Sequence, residues 1–177
     1  DDWQKSKDYL MAFEGLLILD ADALNRISNS KLGSNFFLER KFKTWITPHS
    51  NEFRRLFPNL KSDNNLGLAL DAAKEFDISI LLKGANSIVA DNKKAWQLFG
   101  TDSQTARAGL GDLLSGFVAG SSAIDLTFGR NINTDFLAKY VLLHSFAASK
   151  CQEGSNAFAI SAELSKLMRK RKTRQIS

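Results

Sequence analysis

The run Leu16-Leu17-Ile18-Leu19 offers water no polar side chain and stops abruptly at Asp20. Successive side chains of a strand point to opposite faces, so an unbroken apolar run is stable only where both faces are covered. That condition belongs to a mostly parallel sheet with helices on both faces, and it makes α/β the expected fold class. Open α/β sheets bind ligands beyond the carboxyl ends of their strands. The residues that follow each apolar run are therefore the first candidates for a site. Here they are Asp20 and Asp22, with a short helix expected as far as Ile27.

Further along, Ser28 to Lys41 is polar and reads as irregular, and Thr44-Trp45-Ile46-Thr47 reads as a second short strand ended by Pro48. His49-Ser50-Asn51-Glu52 then opens a helix. Leu66, Ala69, Leu70, Ala73 and Phe76 recur at helical spacing, and a strand from Ile78 to Leu82 begins almost at once. Lys83-Gly84-Ala85-Asn86 is a tight connection into Ser87-Ile88-Val89-Ala90, and Asp91 to Lys94 turns the chain into Ala95-Trp96-Gln97-Leu98, a hairpin. Beyond a polar stretch from Gly100 to Gly111, Asp112 to Gly120 reads as a helix whose small residues on one face imply close packing. Phe136, Tyr140, Leu143 and Ala147 form a helical stripe, and Phe158 to Met168 forms a last amphipathic helix after a break at Gly154. No repeat or linker interrupts the series, so residues 1–177 read as a single α/β domain.

The chain has 177 residues, 44% of them hydrophobic and 24% charged, enough for a core that needs no disulfide staple. Its lone Cys151 fits a reducing, cytoplasmic setting and has no partner pattern for metal binding or nucleophilic catalysis. No apolar run approaches the roughly 18 residues of a membrane span, so no membrane partner is expected. The net charge of +5 is concentrated in Arg169-Lys170-Arg171-Lys172 and Arg174. That run lacks interleaved aromatics for stacking on bases and suits a solvated helix end, so no nucleic acid is expected either. The first residues carry neither an initiator Met nor a leader, and further sequence upstream is expected.

Gly109-Leu110-Gly111-Asp112 stands at an expected helix start, where glycines bring backbone N–H groups close to an anion and the helix dipole favours negative charge. Asp112 would there bind or deprotonate a hydroxyl that attacks phosphorus. Taken alone, the same pattern also describes an aspartate N-cap behind a glycine turn. Asp20, Asp22 and Glu52 are candidates for holding Mg²⁺, directly or through water, because this hard cation uses few carboxylates and keeps much of its hydration. They are equally candidates for a helix cap at Asp22 and a first-turn acid at Glu52. Lys83 before Gly84 puts a cation and bare backbone where a phosphate or adenine edge would sit, or is a solvated turn lysine. His49 is placed to contact a ligand, whereas His144 falls in a helical stripe and reads as a packed histidine.

Taken together, Leu19-Asp20-Ala21-Asp22-Ala23-Leu24-Asn25, Thr47-Pro48-His49-Ser50-Asn51-Glu52-Phe53, Leu82-Lys83-Gly84-Ala85-Asn86-Ser87-Ile88-Val89-Ala90 and Ala108-Gly109-Leu110-Gly111-Asp112-Leu113-Leu114-Ser115-Gly116 resemble the ADP/ATP-dependent NAD(P)H-hydrate dehydratase family. The resemblance extends through Tyr140 to His144 and Ser155-Asn156-Ala157-Phe158. It implies a ribokinase-like fold and a repair lyase in which ADP or ATP, with Mg²⁺, phosphorylates the hydroxyl of hydrated nicotinamide cofactor before phosphate is eliminated. Carried over by position, it assigns Asp112 to the hydrate and its hydroxyl and His49 to the hydrate. The nucleotide falls to Lys83, Gly84, Ala85, Asn86, Ser87, Gly109 and Gly111, and Glu52 matches a glutamate that in related kinases organises Mg²⁺ and phosphate.

The chain departs from the family at Ser50-Asn51, where Pro-Gly is usual, and at Gln104-Thr105-Ala106-Arg107, which replaces a Gly-Met-Ala-Thr segment. The family's Gly-Pro-Gly-Leu-Gly segment and early strands would lie before Asp1. The sequence is thus expected to be a C-terminal part, completed in cis or by a second polypeptide, and a homo-oligomer is expected. A kinase of the same fold acting on a vitamin precursor shares the phosphoryl-transfer half of this chemistry. A noncatalytic nucleotide-binding subunit would share only the binding.

Overall fold

A computed structural model describes residues 2–99, 109–152 and 154–173, and the chain divides into two compact units, Asp1–Leu98 and Phe99–Ser177. In the first unit the elements run α1 (Asp2–Ala12), β1 (Leu17–Leu19), α2 (Ala21–Ser28), α3 (Asn35–Glu39), β2 (Thr44–Ile46), α4 (Ser50–Leu56), α5 (Asn65–Phe76), β3 (Ser79–Leu82), β4 (Ser87–Ala90) and β5 (Ala95–Leu98). They build one five-stranded sheet of order β1-β2-β3-β4-β5. β1, β2 and β3 are parallel, with Leu19 opposite Ile46 and Ile46 opposite Ile80. β4 and β5 are antiparallel to their neighbours, as the tight connection at 83–86 and the turn at 91–94 require. The sheet is mixed, and its parallel half is the half that contains β1.

Ile46, Ile80, Leu82, Ile88 and Ala90 share a core with Leu24, Ile27, Phe53 and Leu56, and with the α5 residues Ala69, Ala72, Ala73 and Phe76. Trp45, Leu81 and Val89 alternate with these strand residues and so point to the other face, where they too are fully buried. Burial on both faces, expected from Leu16 to Leu19, is therefore met in β2, β3 and β4. β1 itself is an edge strand in which only Leu19 is fully withdrawn from water. The small residues of α5 let it lie close to the strands. Ala69, Ala73 and Phe76 of the expected stripe are buried, Ala72 joins them, and Leu66 at the start of the helix is exposed.

The stretch from Ser28 to Lys41 is not wholly irregular. It contains α3, five residues long and without a side-chain cap, which no periodicity reveals. Tertiary packing holds it: Phe36 and Phe37 are buried, and Phe37 meets Phe57 and Phe76, whose own centroids are 5.0 Å apart. Burial of each such ring is worth about 1.5–3 kcal/mol, ample to order so short a helix. Residues 2–12 also form a helix that hydrophobic spacing does not announce. The Arg40 guanidinium donates to the Gly15 carbonyl at 2.9 Å and to the Leu10 carbonyl at 2.5 Å, just beyond and within the last turn of α1.

The second unit holds α6 (Leu110–Thr127), α7 (Thr134–Ser149) and α8 (Ala157–Thr173). Leu110, Ala147, Ala148, Ile160 and Leu164 form its core. Asp125, buried in α6, accepts the Tyr140 hydroxyl at 2.5 Å and is paired with Arg130. The close packing expected of the small residues in α6 is not found at Gly116 and Gly120, where an added Cβ would meet nothing within 4 Å. Phe158, the expected start of the apolar stripe of α8, is 84% exposed, and the buried stripe starts at Ile160. His144 is a packed histidine, as expected, and burial pushes its pKa down. The segment Gln104-Thr105-Ala106-Arg107 and the tail residue Arg174 lie outside the described residues. Among those described, no helix is long and apolar enough to cross a membrane.

Candidate functional site

Because β1, β2 and β3 are parallel, their carboxyl ends open on one side and deliver Asp20, the 47–49 segment and Lys83 together. Lys83 N donates to the Pro48 carbonyl at 2.8 Å, and His49 and Lys83 form a parallel bridge that prolongs the ladder by one residue. Lys83 Nζ reaches across to Asp20 Oδ1 at 2.7 Å, with the two side chains 23% and 13% exposed. A charged hydrogen bond of this kind contributes about 1.5–3 kcal/mol and fixes where the ammonium points.

Asp20, not Asp22, caps α2: its carboxylate accepts the Ala21 N–H at 2.9 Å, and Asp22 stands exposed in the first turn. Ala21 is held at φ +46°, a left-handed conformation that costs an alanine about 1–2 kcal/mol. This strain, beside Asp20 and Lys83, leaves no signal in the sequence.

His49 and Glu52 cap α4 reciprocally. His49 Nδ1 accepts the Asn51 and Glu52 N–H groups, and Glu52 Oε2 accepts the His49 N–H at 2.9 Å. The Ser50-Asn51 departure leaves this cap intact, because the N–H of Ser50 takes no part in it. Asp20 and Glu52 are thus both engaged within the chain. Among the described residues no group of three His, Cys, Asp or Glu side chains is placed to hold a metal ion. Asp20, Asp22 and Glu52 therefore do not converge as a carboxylate cage.

Beside Lys83 lies a cavity of ≈ 510 Å³, lined by Gly84, Ala85, Asn86, Ser50, Asn64 and Gln97 among others. Gly84, Ala85 and Asn86 are exposed to it, while Ser87 is buried at the start of β4 and donates to the Gly84 carbonyl. Sequence reasoning missed Ser50, Asn64 and Gln97. They come from three separate elements that only the folded sheet gathers, and the one local hint was the Asn64 cap of α5.

In the second unit α6 begins at Gly109, at φ +82°, with no side-chain cap. Asp112 is one turn inside the helix and exposed, so it is not the N-cap, and the reading of the motif as an aspartate cap is set aside. The first N–H groups of α6, Gly111 among them, have no partner earlier in the helix and suit an anion. Asp112 also ends an open groove of ≈ 490 Å³ whose floor includes Gly116 and Gly120.

A mixed α/β sheet followed by a helix entered through Gly109-Leu110-Gly111-Asp112 is the build of a ribokinase-like protein. The fold bears this out: a ribokinase-like superfamily protein of Enterococcus faecalis superposes with TM-score 0.78 at 25% identity, over 94% of this chain and 58% of that one. An ADP/ATP-dependent NAD(P)H-hydrate dehydratase of Bacillus subtilis, co-crystallized with ATP/Mg²⁺, gives 0.68 at 20% identity, over 94% and 59%. The family model for NAD(P)H-hydrate dehydratase matches residues 3–170, and the chain belongs to that family. A bifunctional NAD(P)H-hydrate repair enzyme of Synechocystis is 36% identical over 105 residues, 59% of this chain and 20% of that protein. An ADP-dependent (S)-NAD(P)H-hydrate dehydratase of Nitrosopumilus maritimus is 37% identical over 78 residues, 42% and 27%. The chain thus spans about a fifth of the bifunctional relative and about three-fifths of each matched solved structure.

Proposed function

We propose that this chain carries the nucleotide-handling and catalytic residues of an enzyme that restores hydrated NAD(P)H, using ADP or ATP. The observation that carries the reading is the start of α6, with an uncapped first turn and an exposed carboxylate one turn in. Asp112 takes the proton of the hydrate hydroxyl as its oxygen attacks the terminal phosphorus of the nucleotide. The first-turn N–H groups at Gly111 hold the phosphoryl oxygens on which charge accumulates. Phosphate then leaves with the C–O bonding pair, and loss of a proton from the neighbouring carbon restores the ring double bond. Lys83 and the 84–87 backbone bind the adenylate, and His49 contacts the hydrate.

Mg²⁺ would neutralise phosphate charge, and phosphate oxygens and water would hold it. Asp20 and Glu52 already have partners, which leaves Asp22 as the exposed carboxylate within reach of water. A cytoplasmic setting and a homo-oligomer belong to the same proposal. So does completion of the hydrate pocket by further polypeptide, in cis or in trans, since every matched relative named above is longer.

The test is incubation of NADH-hydrate with ADP or ATP and Mg²⁺, following recovery of NADH absorbance and release of phosphate. Nucleotide-dependent recovery is expected. Phosphorylation of a thiazole or pyrimidine alcohol, with no action on the hydrate, would replace this reading by that of a kinase. Nucleotide binding without turnover on any of these alcohols would replace it by that of a binding subunit.

A further inference from the structure

We propose that His49 meets its ligand only as a hydrogen-bond donor, through Nε2–H, and that the first-turn N–H groups of α4 fix it in that state. The inference rests on the reading above that His49 touches the hydrate. Backbone N–H groups can only donate, and two of them point at His49 Nδ1, from Asn51 at 3.1 Å and from Glu52 at 3.4 Å. Nδ1 must therefore present its lone pair, and the single proton of the neutral ring sits on Nε2. On that side lies Glu52 Oε1, 3.4 Å from Nε2. The other carboxylate oxygen accepts the His49 backbone N–H at 2.9 Å. A carboxylate oxygen accepts, so this neighbour favours the same tautomer that the two hydrogen bonds to Nδ1 select. The opposite tautomer would set N–H against two N–H groups and a lone pair against a carboxylate.

Burial separates the two roles. The Glu52 side chain is 6% exposed and anchored, while that of His49 is 49% exposed and free to reach a ligand. A ring fixed in this way has no lone pair facing solvent with which to take a hydroxyl proton. Its ligand must supply an acceptor: a hydroxyl oxygen, a carboxamide carbonyl or a phosphate oxygen. Proton removal falls to Asp112 alone.

The chain has two histidines, so a long-range ¹H–¹⁵N correlation on the ¹⁵N-histidine-labelled protein reads both tautomers without crowding. The His49→Asn spectrum assigns them. Protonated Nε2 with unprotonated Nδ1 at His49 is expected, and protonated Nδ1 or an averaged pair of signals overturns the proposal. In Glu52→Ala both N–H groups that face Nδ1 remain, so the Nε2–H tautomer is expected to persist. Should that variant not fold, Glu52→Gln keeps an acceptor for the backbone N–H, and the same persistence is expected. A mixture of tautomers in the folded variant overturns the assignment of the fixing role to the backbone. His49→Asn keeps an N-cap acceptor, but its shorter side chain carries no donor out to the position of Nε2–H. It should raise KM for the hydrate about tenfold, the worth of one hydrogen bond, with kcat and Tm close to those of the parent. Unchanged KM overturns the donor role. The spectra need no substrate, so absence of turnover in the parent protein counts against the dehydratase reading and not against the tautomer.

Discussion

The helices α4 and α6 both begin beside candidate site residues, yet their first turns are built in opposite ways. At α4 the chain supplies its own partners: His49 takes two N–H groups, and Glu52 returns the favour to the His49 backbone. At α6 the N-cap is Gly109, which turns into the helix at φ +82° and has no side chain to cap it. A closed start spends its backbone donors on orienting a side chain. An open start keeps them for something from outside the chain. The difference teaches what each start can offer, a positioned ring at α4 and backbone amides suited to an anion at α6.

The sharpest way to break this comparison is at Asp112. Because it is an exposed first-turn acid, Asp112→Asn should cost no more than about 1 kcal/mol of stability while kcat falls about 100-fold or more, the usual worth of a general base. Retained kcat, or a lost midpoint with retained kcat, would make it a structural acid like Glu52. Next in size is Gly109→Ala. The new Cβ has room, with its nearest neighbour among the described residues 4.0 Å away at Ala157, so the cost is the backbone's alone, about 1–2 kcal/mol in urea unfolding. A loss of several kcal/mol would mean that a steric fit, not an open turn, is what the glycine provides.

At the closed start, His49→Ala should cost about 1 kcal/mol of stability as the cap is lost, while His49→Asn should recover most of it. Equal unfolding midpoints for the two variants would show that the cap carries no energy. The smallest effect comes from the other histidine. Burial lowers the pKa of His144, so the folded state binds its proton less readily than the unfolded chain does. Its contribution is whole above the unfolded value of about 6.5 and is lost as pH falls below it. Urea midpoints at neutral and mildly acidic pH should converge when His144→Gln is compared with the parent. A pH dependence that survives the substitution belongs to other groups.

The strands were legible because each is a short apolar run with a polar stop, and the hairpin because its turn residues sit between two such runs. α3 was not legible, since its two phenylalanines are helical only by virtue of Phe57 and Phe76. Within the candidate site, spacing picked out Asp20, the 47–52 segment, Lys83 and the 109–112 turn but could not divide the labour among the acids. Whether Asp20 or Asp22 caps α2 depends on the positive φ of Ala21, and whether Asp112 caps α6 depends on that of Gly109. Neither angle is written in composition. The pairing of Lys83 with Asp20 was equally out of reach, because it follows from the order of the strands rather than from any neighbourhood in sequence.

That pair also says something about the order in which the molecule comes together. β4 and β5 are joined by a four-residue turn and can meet within the roughly 1–10 μs of hairpin formation. Asp20 and Lys83 are 63 residues apart, and closing so long a loop costs entropy that only the finished parallel ladder returns. The end of the sheet where Asp20 meets Lys83 is therefore among the last parts to assemble and among the first to open. A nucleotide seated across it would act as a late clasp, slowing local opening of β1 more than that of the hairpin, a difference that amide hydrogen exchange along the two halves of the sheet would record.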